Sequence, residues 1–350
     1  MNSTVDTTVA PERRTKPRIG VLPGDPNGVG PELLAKLLDE TAGETAADIV
    51  VIGDEHVIAA GARVAGVSLL LPEWSEDSAS TAEGGATHLK METIAEGDVT
   101  PGEVSEAAGR SILQTLEAAV DLAAGGTLDG ICFAPLNKSA LHLGGMTQPD
   151  EMQHIAAHLG IAGLARELNA VEGLWTTRVT SHVALKDVAG MITEEGVLAA
   201  VRRLHNTIVD TGIEQPRLAV AALNPHAGDN GNFGREEIDI IGPAVERAKE
   251  EGFDVVGPWS PDSVFLLGKD GRVDGIVAMY HDQSQIAMKM MGFDRGLTLL
   301  GGLPVPITSP AQGSAYDIVG KGVARVSALR FAFDLVTTMA TQRLARAAAA

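Results

Sequence analysis

The 350-residue chain is 45% hydrophobic and 21% charged with only 3% aromatic residues, which excludes a disordered polymer and a base-stacking platform for single-stranded nucleic acid. A formal charge of −19 repels a phosphate backbone, so no nucleic-acid partner is expected and an anionic small-molecule substrate requires a local basic pocket. Cys132, the single cysteine, rules out an internal disulfide or cysteine-based zinc cluster and fits a reducing cytoplasm, and no apolar run reaches membrane-spanning length.

A chain of this length suits two lobes of roughly 150 to 200 residues with a cleft between them. Residues 1–16 are polar, lack the apolar centre of a signal peptide, and read as a disordered leader. A buried strand at 19–22 then leads through Gly24-Asp25-Pro26-Asn27-Gly28-Val29-Gly30-Pro31 into a helix at 32–39. Three glycines at such a turn permit close backbone approach to a ligand and serve a tight turn equally well. Their register is not that of the Gly-x-Gly-x-x-Gly dinucleotide fingerprint. Further strands at 49–52, 130–134, 218–223 and 275–279 alternate with helices at 107–124, 193–210 and 236–251. The class is therefore α/β, with no internal repeat and no low-complexity tether. Residues 347–350 extend the last helix-forming stretch and are expected to fray.

In an open parallel sheet, ligands bind beyond the carboxyl ends of the strands. Asn224-Pro225-His226-Ala227-Gly228 follows one predicted strand, Met279-Tyr280-His281-Asp282-Gln283 follows another, and His182 closes the stretch Val179-Thr180-Ser181. His205 sits instead on a predicted helix. Taken singly, each histidine reads more readily as a hydrogen-bonded structural residue than as a ligand, and pattern alone does not bring them together.

Gly24-Asp25-Pro26, Leu223-Asn224-Pro225-His226-Ala227-Gly228, Glu236-Glu237-Ile238-Asp239 and Tyr280-His281-Asp282-Gln283 keep an order and spacing that closely resemble the 4-hydroxythreonine-4-phosphate dehydrogenase (PdxA) family, from about Arg18 to about Leu329. The resemblance implies an isocitrate/isopropylmalate dehydrogenase-like two-domain α/β/α fold with the active site in the interdomain cleft. Residues 17–134 with 291–345 would form the cofactor-side domain, and 135–290 the metal, substrate and dimerisation domain. The resemblance also implies a homodimer with shared active sites, NAD, and a divalent metal (zinc, magnesium, manganese or cobalt) held by His182, His205 and His281. On this reading His205 faces a site in the partner chain. Such a cation stabilises developing alkoxide or enolate charge, so the implied reaction is hydride transfer to NAD followed by loss of CO2 from a β-keto acid.

Asp262 and Asp282 match acidic positions near the family's active site, and Lys289 matches a substrate-contacting lysine. Asp262 reads equally as a turn residue and Asp282 as a strand-end cap. The run from Gln312 to Gly322 resembles an adenosine-side loop of pattern His-Gly-Ser-Ala-Pro-Asp-Ile, which implies cofactor contacts from Gly313, Ser314, Ala315 and Asp317. Gln312 and Tyr316 depart from that pattern.

The substrate end departs further. Where the family carries His-Thr-Glu beyond a Pro-x-x-Lys loop, here Pro135-Leu136-Asn137-Lys138, this chain has Glu151-Met152-Gln153; Thr298 replaces an asparagine and Ile307 an arginine. Losing an arginine fork removes a charge-assisted, bidentate phosphate contact. The main expectation is therefore oxidation of a secondary hydroxyl of a hydroxy acid or dihydrodiol carboxylate, with 4-phosphohydroxythreonine a poor substrate. The alternatives are a 4-hydroxythreonine-4-phosphate or four-carbon sugar-acid phosphate dehydrogenase and, from a different class, a non-catalytic ligand-binding homologue. Arg178, four residues before His182 and on the same face if this stretch is a strand, is a candidate for binding a substrate carboxylate. A salt bridge to a residue such as Glu172 explains it equally.

Overall fold

The computed structural model describes residues 16–43, 46–75, 85–161, 166–292 and 296–349, so the expected leader lies almost wholly outside the described residues, as does Ala350. Eleven described strands, β1 (Arg18–Leu22), β2 (Asp48–Asp54), β3 (Ala86–Met91), β4 (Gly130–Phe133), β5 (Arg166–Val171), β6 (Leu174–Arg178), β7 (Leu218–Ala221), β8 (Val255–Trp259), β9 (Gly275–Ala278), β10 (Leu297–Gly301) and β11 (Ile307–Pro310), form one sheet. Its order is β3-β2-β1-β4-β11-β10-β5-β6-β9-β7-β8. Pairing is parallel from β3 to β11 and from β6 to β8, and antiparallel where β10 meets β11 and β5 and where β5 meets β6. The two parallel runs therefore point in opposite senses across β5 and β10.

Eleven α-helices accompany the sheet among the described residues: α1 (Gly30–Glu40), α2 (Glu55–Ala65), α3 (Glu106–Ala124), α4 (Lys138–Leu143), α5 (Glu151–His158), α6 (Leu185–Met191), α7 (Glu194–Asp210), α8 (Gly242–Glu250), α9 (Val264–Lys269), α10 (His281–Gly292) and α11 (Ser327–Ala349). Every residue of β2 is buried, as a parallel strand covered on both faces must be. The Ser105 hydroxyl caps α3 by accepting the Ala108 amide at 3.1 Å, and Ala108, Ile112, Leu116, Ala119 and Ala123 place one buried stripe on that helix. Thr193 caps α7 in the same way, at the position where the sequence punctuation predicts the helix to begin.

The α/β class stands, with three local corrections. The helix expected over 236–251 is a π turn at Glu237–Ile241 followed by α8, because Pro243 has no amide hydrogen to continue a regular ladder. Strands β3, β5, β6, β8, β10 and β11 escape the apolar-run criterion; β5, for instance, reads Arg-Glu-Leu-Asn-Ala-Val. Arg178 is the last residue of β6, and His182 lies beyond it in a turn with φ 53°, so strand alternation does not relate the two. No helix of the described residues is long and apolar enough to cross a membrane.

Candidate functional site

Strands β6, β9, β7 and β8 are adjacent and parallel, so the residues just past them share one edge of the sheet. His182 follows β6, His281 and Asp282 follow β9, His226 follows β7, and Asp262 follows β8. The rings of His182 and His281 lie 5.3 Å apart, tilted by 43°. The Asp282 carboxylate sits 2.7 Å from Nδ1 of His281 and orients that ring, leaving Nε2 as its free donor atom. Gln283 fixes the edge: it accepts the Met279 amide at 2.6 Å and donates to the Ala222 carbonyl at 2.8 Å, tying the end of β9 to the end of β7.

His205 does not join this group. It lies in α7 with its ring edge-on to Phe253, centroids 4.8 Å apart, and Phe253 stands just before β8 begins. The preceding residue, Leu204, packs so closely on Gly275, the first residue of β9, that a side chain there would collide with it. His205 thus belongs to the amino-terminal edge of the strands whose carboxyl ends carry His182 and His281. The residue that sequence pattern undervalues is His226. Of the nine histidines only His182 and His226 have left-handed backbones, both at φ 53°, and strain of this kind in a residue with a Cβ is concentrated at functional sites.

Six consecutive residues, His226 to Gly231, hold positive φ. The entry to this run is held by Glu237, a buried carboxylate whose Oε1 accepts the Leu223 and Asn224 amides at 2.9 and 2.8 Å, while Oε2 accepts Asn224 Nδ2 at 3.0 Å. The acidic pair Glu236 and Glu237, legible in sequence as dipole-favoured, is therefore a clamp on the loop before it. Asp262 is exposed; the Ser260 hydroxyl donates to it at 2.7 Å and holds its carboxyl below the usual range, with the nearby His226 adding to the effect. Among the described residues no three His, Cys, Asp or Glu side chains converge closely enough to hold an ion.

Arg178, only 3% exposed, donates to Glu167 at 2.5 Å, to Asn169 Oδ1 at 2.6 Å and to the Ser181 hydroxyl at 2.9 Å. One ion pair of this guanidinium is with Glu167. Asn169 Oδ1 also accepts Gln285 Nε2 at 2.6 Å, and its amide donates to the Thr298 hydroxyl at 3.1 Å, so Thr298 braces this network. Lys289 is exposed on α10 beside it and lines, with Gln285 and Asn169, a small cavity.

Met152 and Ile307 are not available to a substrate: both are buried in one apolar cluster with Phe133 and Leu300, Ile307 at 1% exposure. Glu151 is the first residue of α5 but not its cap, a role that Asp150 takes by accepting the Gln153 amide. Burial raises the Glu151 carboxyl above its ordinary value, with Lys138 opposing and Glu167 adding.

On the cofactor side, the glycine turn packs against the loop after β11. The Val29 amide donates to the Ser314 carbonyl at 3.0 Å, and a Cβ on Gly28 would stand 2.9 Å from that of Ser314. A Cβ on Gly30 would lie 2.0 Å from the Pro23 carbonyl oxygen. These glycines serve chain packing, and Ser314 is buried by it, whereas Gly313 and Asp317 remain exposed and Ala315 adopts φ 45°. The departure at Tyr316 has a reason: its hydroxyl donates at 2.5 Å to Asp25, whose carboxyl burial pushes up and the Tyr316 and Asn27 donors pull down.

Tyr316→Phe is expected to lower unfolding free energy by about 2 kcal/mol at neutral pH, since it leaves a buried acceptor short of a donor. The Asp25 value is already raised in the fold and the variant raises it further, so the deficit is full where Asp25 is ionised and shrinks as pH falls through that raised value. Urea titrations of both proteins across acid and neutral pH check this; an equal deficit at every pH would refute it.

A family model described as pyridoxal phosphate biosynthetic protein PdxA matches residues 45–336. The chain belongs to the PdxA family. A Pseudomonas aeruginosa protein provisionally named 4-hydroxythreonine-4-phosphate dehydrogenase 2 is 46% identical over 328 residues, 92% of this chain and 97% of its own. The solved 4-hydroxythreonine-4-phosphate dehydrogenase of Klebsiella pneumoniae is 32% identical with a TM-score of 0.80, covering 93% of this chain and 98% of that one. A terephthalate 1,2-cis-dihydrodiol dehydrogenase of Burkholderia xenovorans is 30% identical with a TM-score of 0.67, over 92% and 98%. This PdxA-family chain is thus a dehydrogenase homologue along nearly its whole length.

Proposed function

We propose that the chain oxidises the secondary hydroxyl of a phosphorylated four-carbon hydroxy acid such as 4-hydroxythreonine-4-phosphate, using NAD and a divalent cation. The observation that carries this reading is the imidazole pair His182 and His281 at the carboxyl ends of adjacent strands, in a chain whose relatives are named for that substrate. Two neutral nitrogen donors, one oriented by Asp282, fit zinc, cobalt or manganese better than magnesium. When bound, the cation supplies charge for a developing alkoxide and NAD accepts the hydride. Asp262, an exposed carboxylate on the same edge held by Ser260, orients the hydroxyl or a water. His226, rather than His205, is the third imidazole on the same edge, and a second copy of the chain is the source of any further donor. The division into a cofactor-side and a metal-side domain draws support from the two opposed parallel runs of the sheet.

The expectation of a non-phosphorylated substrate rested on Thr298 and Ile307 as emptied contact positions. Thr298 is engaged by Asn169 and Ile307 is core, so neither argues against an anion, and Lys289 supplies exposed positive charge beside Asn169 and Gln285 in an acidic chain. The test is NAD reduction by the metal-loaded protein with 4-phosphohydroxythreonine, a four-carbon sugar-acid phosphate and a dihydrodiol carboxylate. The phosphorylated acids are expected to lead in kcat/KM by at least about tenfold. A lead for the dihydrodiol would restore the other dehydrogenase reading, and no reduction with any of them, together with no retained metal, would point to a non-catalytic homologue.

A further inference from the structure

The backbone ladder between β6 and β9 runs past both strand ends: the Val179 amide donates to the Ala278 carbonyl at 2.9 Å and the Thr180 amide to the Met279 carbonyl at 3.0 Å. His182 stands two residues beyond that rung, exposed, with φ 53°. A residue with a Cβ keeps a left-handed backbone only where its surroundings over-determine it. Two hydroxyls do so here. Thr180, 3% exposed, donates its hydroxyl proton at 2.8 Å to the same Met279 carbonyl that takes its amide, so the end of β6 grips that carbonyl twice. Ser181 accepts Nε of Arg178 at 2.9 Å, and Arg178 is itself fixed by Asn169 and Glu167. On its other side the Met279 peptide is held by Gln283, and it lies two residues before His281. A buried β-branched position at a strand end suits valine as well as threonine, so packing alone does not call for the hydroxyl at 180.

We propose that Thr180 and Ser181 are positioning residues that hold the His182 imidazole opposite that of His281. The Thr180 hydroxyl is spent on Met279 and the Ser181 hydroxyl is taken by Arg178, so both act through the turn they pin. Without them the chain at 181–183 relaxes out of the left-handed region and carries the His182 ring away from its neighbour at 5.3 Å. A site built on two imidazoles is sensitive to this, because both nitrogens must meet one cation, and the groups that orient such ligands typically carry about ten- to a hundredfold in metal affinity. The link to a cation rests on the proposed function above, whereas the hold on His182 does not.

The experiment combines cobalt(II) titration, followed by visible absorption, with crystal structures of the metal-free chain, for the parent, Thr180→Val, Thr180→Ser and Ser181→Ala. Thr180→Val and Ser181→Ala are expected to weaken cobalt binding by about ten- to a hundredfold and to move His182 out of positive φ, with urea unfolding midpoints close to the parent's. Thr180→Ser, which keeps the hydroxyl, should bind cobalt within about threefold of the parent. Ser181 is only half-buried, so Ser181→Ala decides the matter if Thr180→Val does not fold. An unchanged His182 backbone in the variants overturns the assignment, as does full cobalt affinity with a displaced His182. If the parent itself binds no cobalt, the proposed function falls, and the position of His182 in the metal-free structures alone decides whether the two hydroxyls hold it.

Discussion

His281→Ala is expected to lower kcat/KM roughly a thousandfold and to abolish retention of a divalent cation, whereas His205→Ala should leave both within about twofold. The magnitude follows from what His281 is placed to do. Its ring meets that of His182 at 5.3 Å at the end of β9, and Asp282 fixes its orientation, so alanine removes a directed nitrogen donor together with the reason for Asp282 to be there. A loss of about 4 kcal/mol in transition-state stabilisation corresponds to that factor. His205 offers only its packing on Phe253, so its replacement should cost about 1 kcal/mol of stability and little else. Elemental analysis of the purified variants and steady-state kinetics decide the matter. If His205→Ala lost metal and activity while His226→Ala kept them, the helix histidine would have to reach a site in a second chain, and the edge of β6, β9 and β7 would lose its assignment.

Arg178→Ala should destabilise the fold by about 2 to 3 kcal/mol, because it removes a buried guanidinium from three acceptors and leaves the part-buried Glu167 carboxylate without it. Glu167 would lose its only cation within hydrogen-bond reach among the contacts described here, and Asn169 and Ser181 would each lose a donor. Lysine should not rescue the change, since one ammonium cannot span three acceptors that the planar guanidinium reaches together. Pairing Arg178→Ala with Glu167→Gln should recover part of the loss by removing the stranded charge. Denaturant unfolding of the four proteins measures this. A stable Arg178→Ala protein with a raised KM would return Arg178 to the role of a substrate-carboxylate contact.

The same contrast between histidines marks how far the residues themselves can be read. His281 is legible as the residue after an apolar run and His182 as the close of Val179-Thr180-Ser181, whereas their sharing of one sheet edge is not. His205 was placed with them by motif resemblance, and the helix carrying it runs antiparallel to the strands, which takes it to the opposite edge. Ile307 looked like a lost phosphate contact until burial in the cluster of Phe133 and Leu300 made it core. Glu237 and Gln283 are legible only as members of family motifs and their roles are not, since a side chain that bonds the backbone at another strand's end leaves no local pattern.

By itself the sequence determined the α/β class, the capped helices, the family and the strand-end location of His182, His226 and His281, all of which depend on local periodicity, punctuation and motif order. Only the tertiary structure decided which histidines share an edge and that Arg178 is spent on Glu167 and Asn169. The reason is physical: strand order and helix direction across the eleven described strands bring together residues more than a hundred positions apart, and burial then decides which polar atoms must find partners.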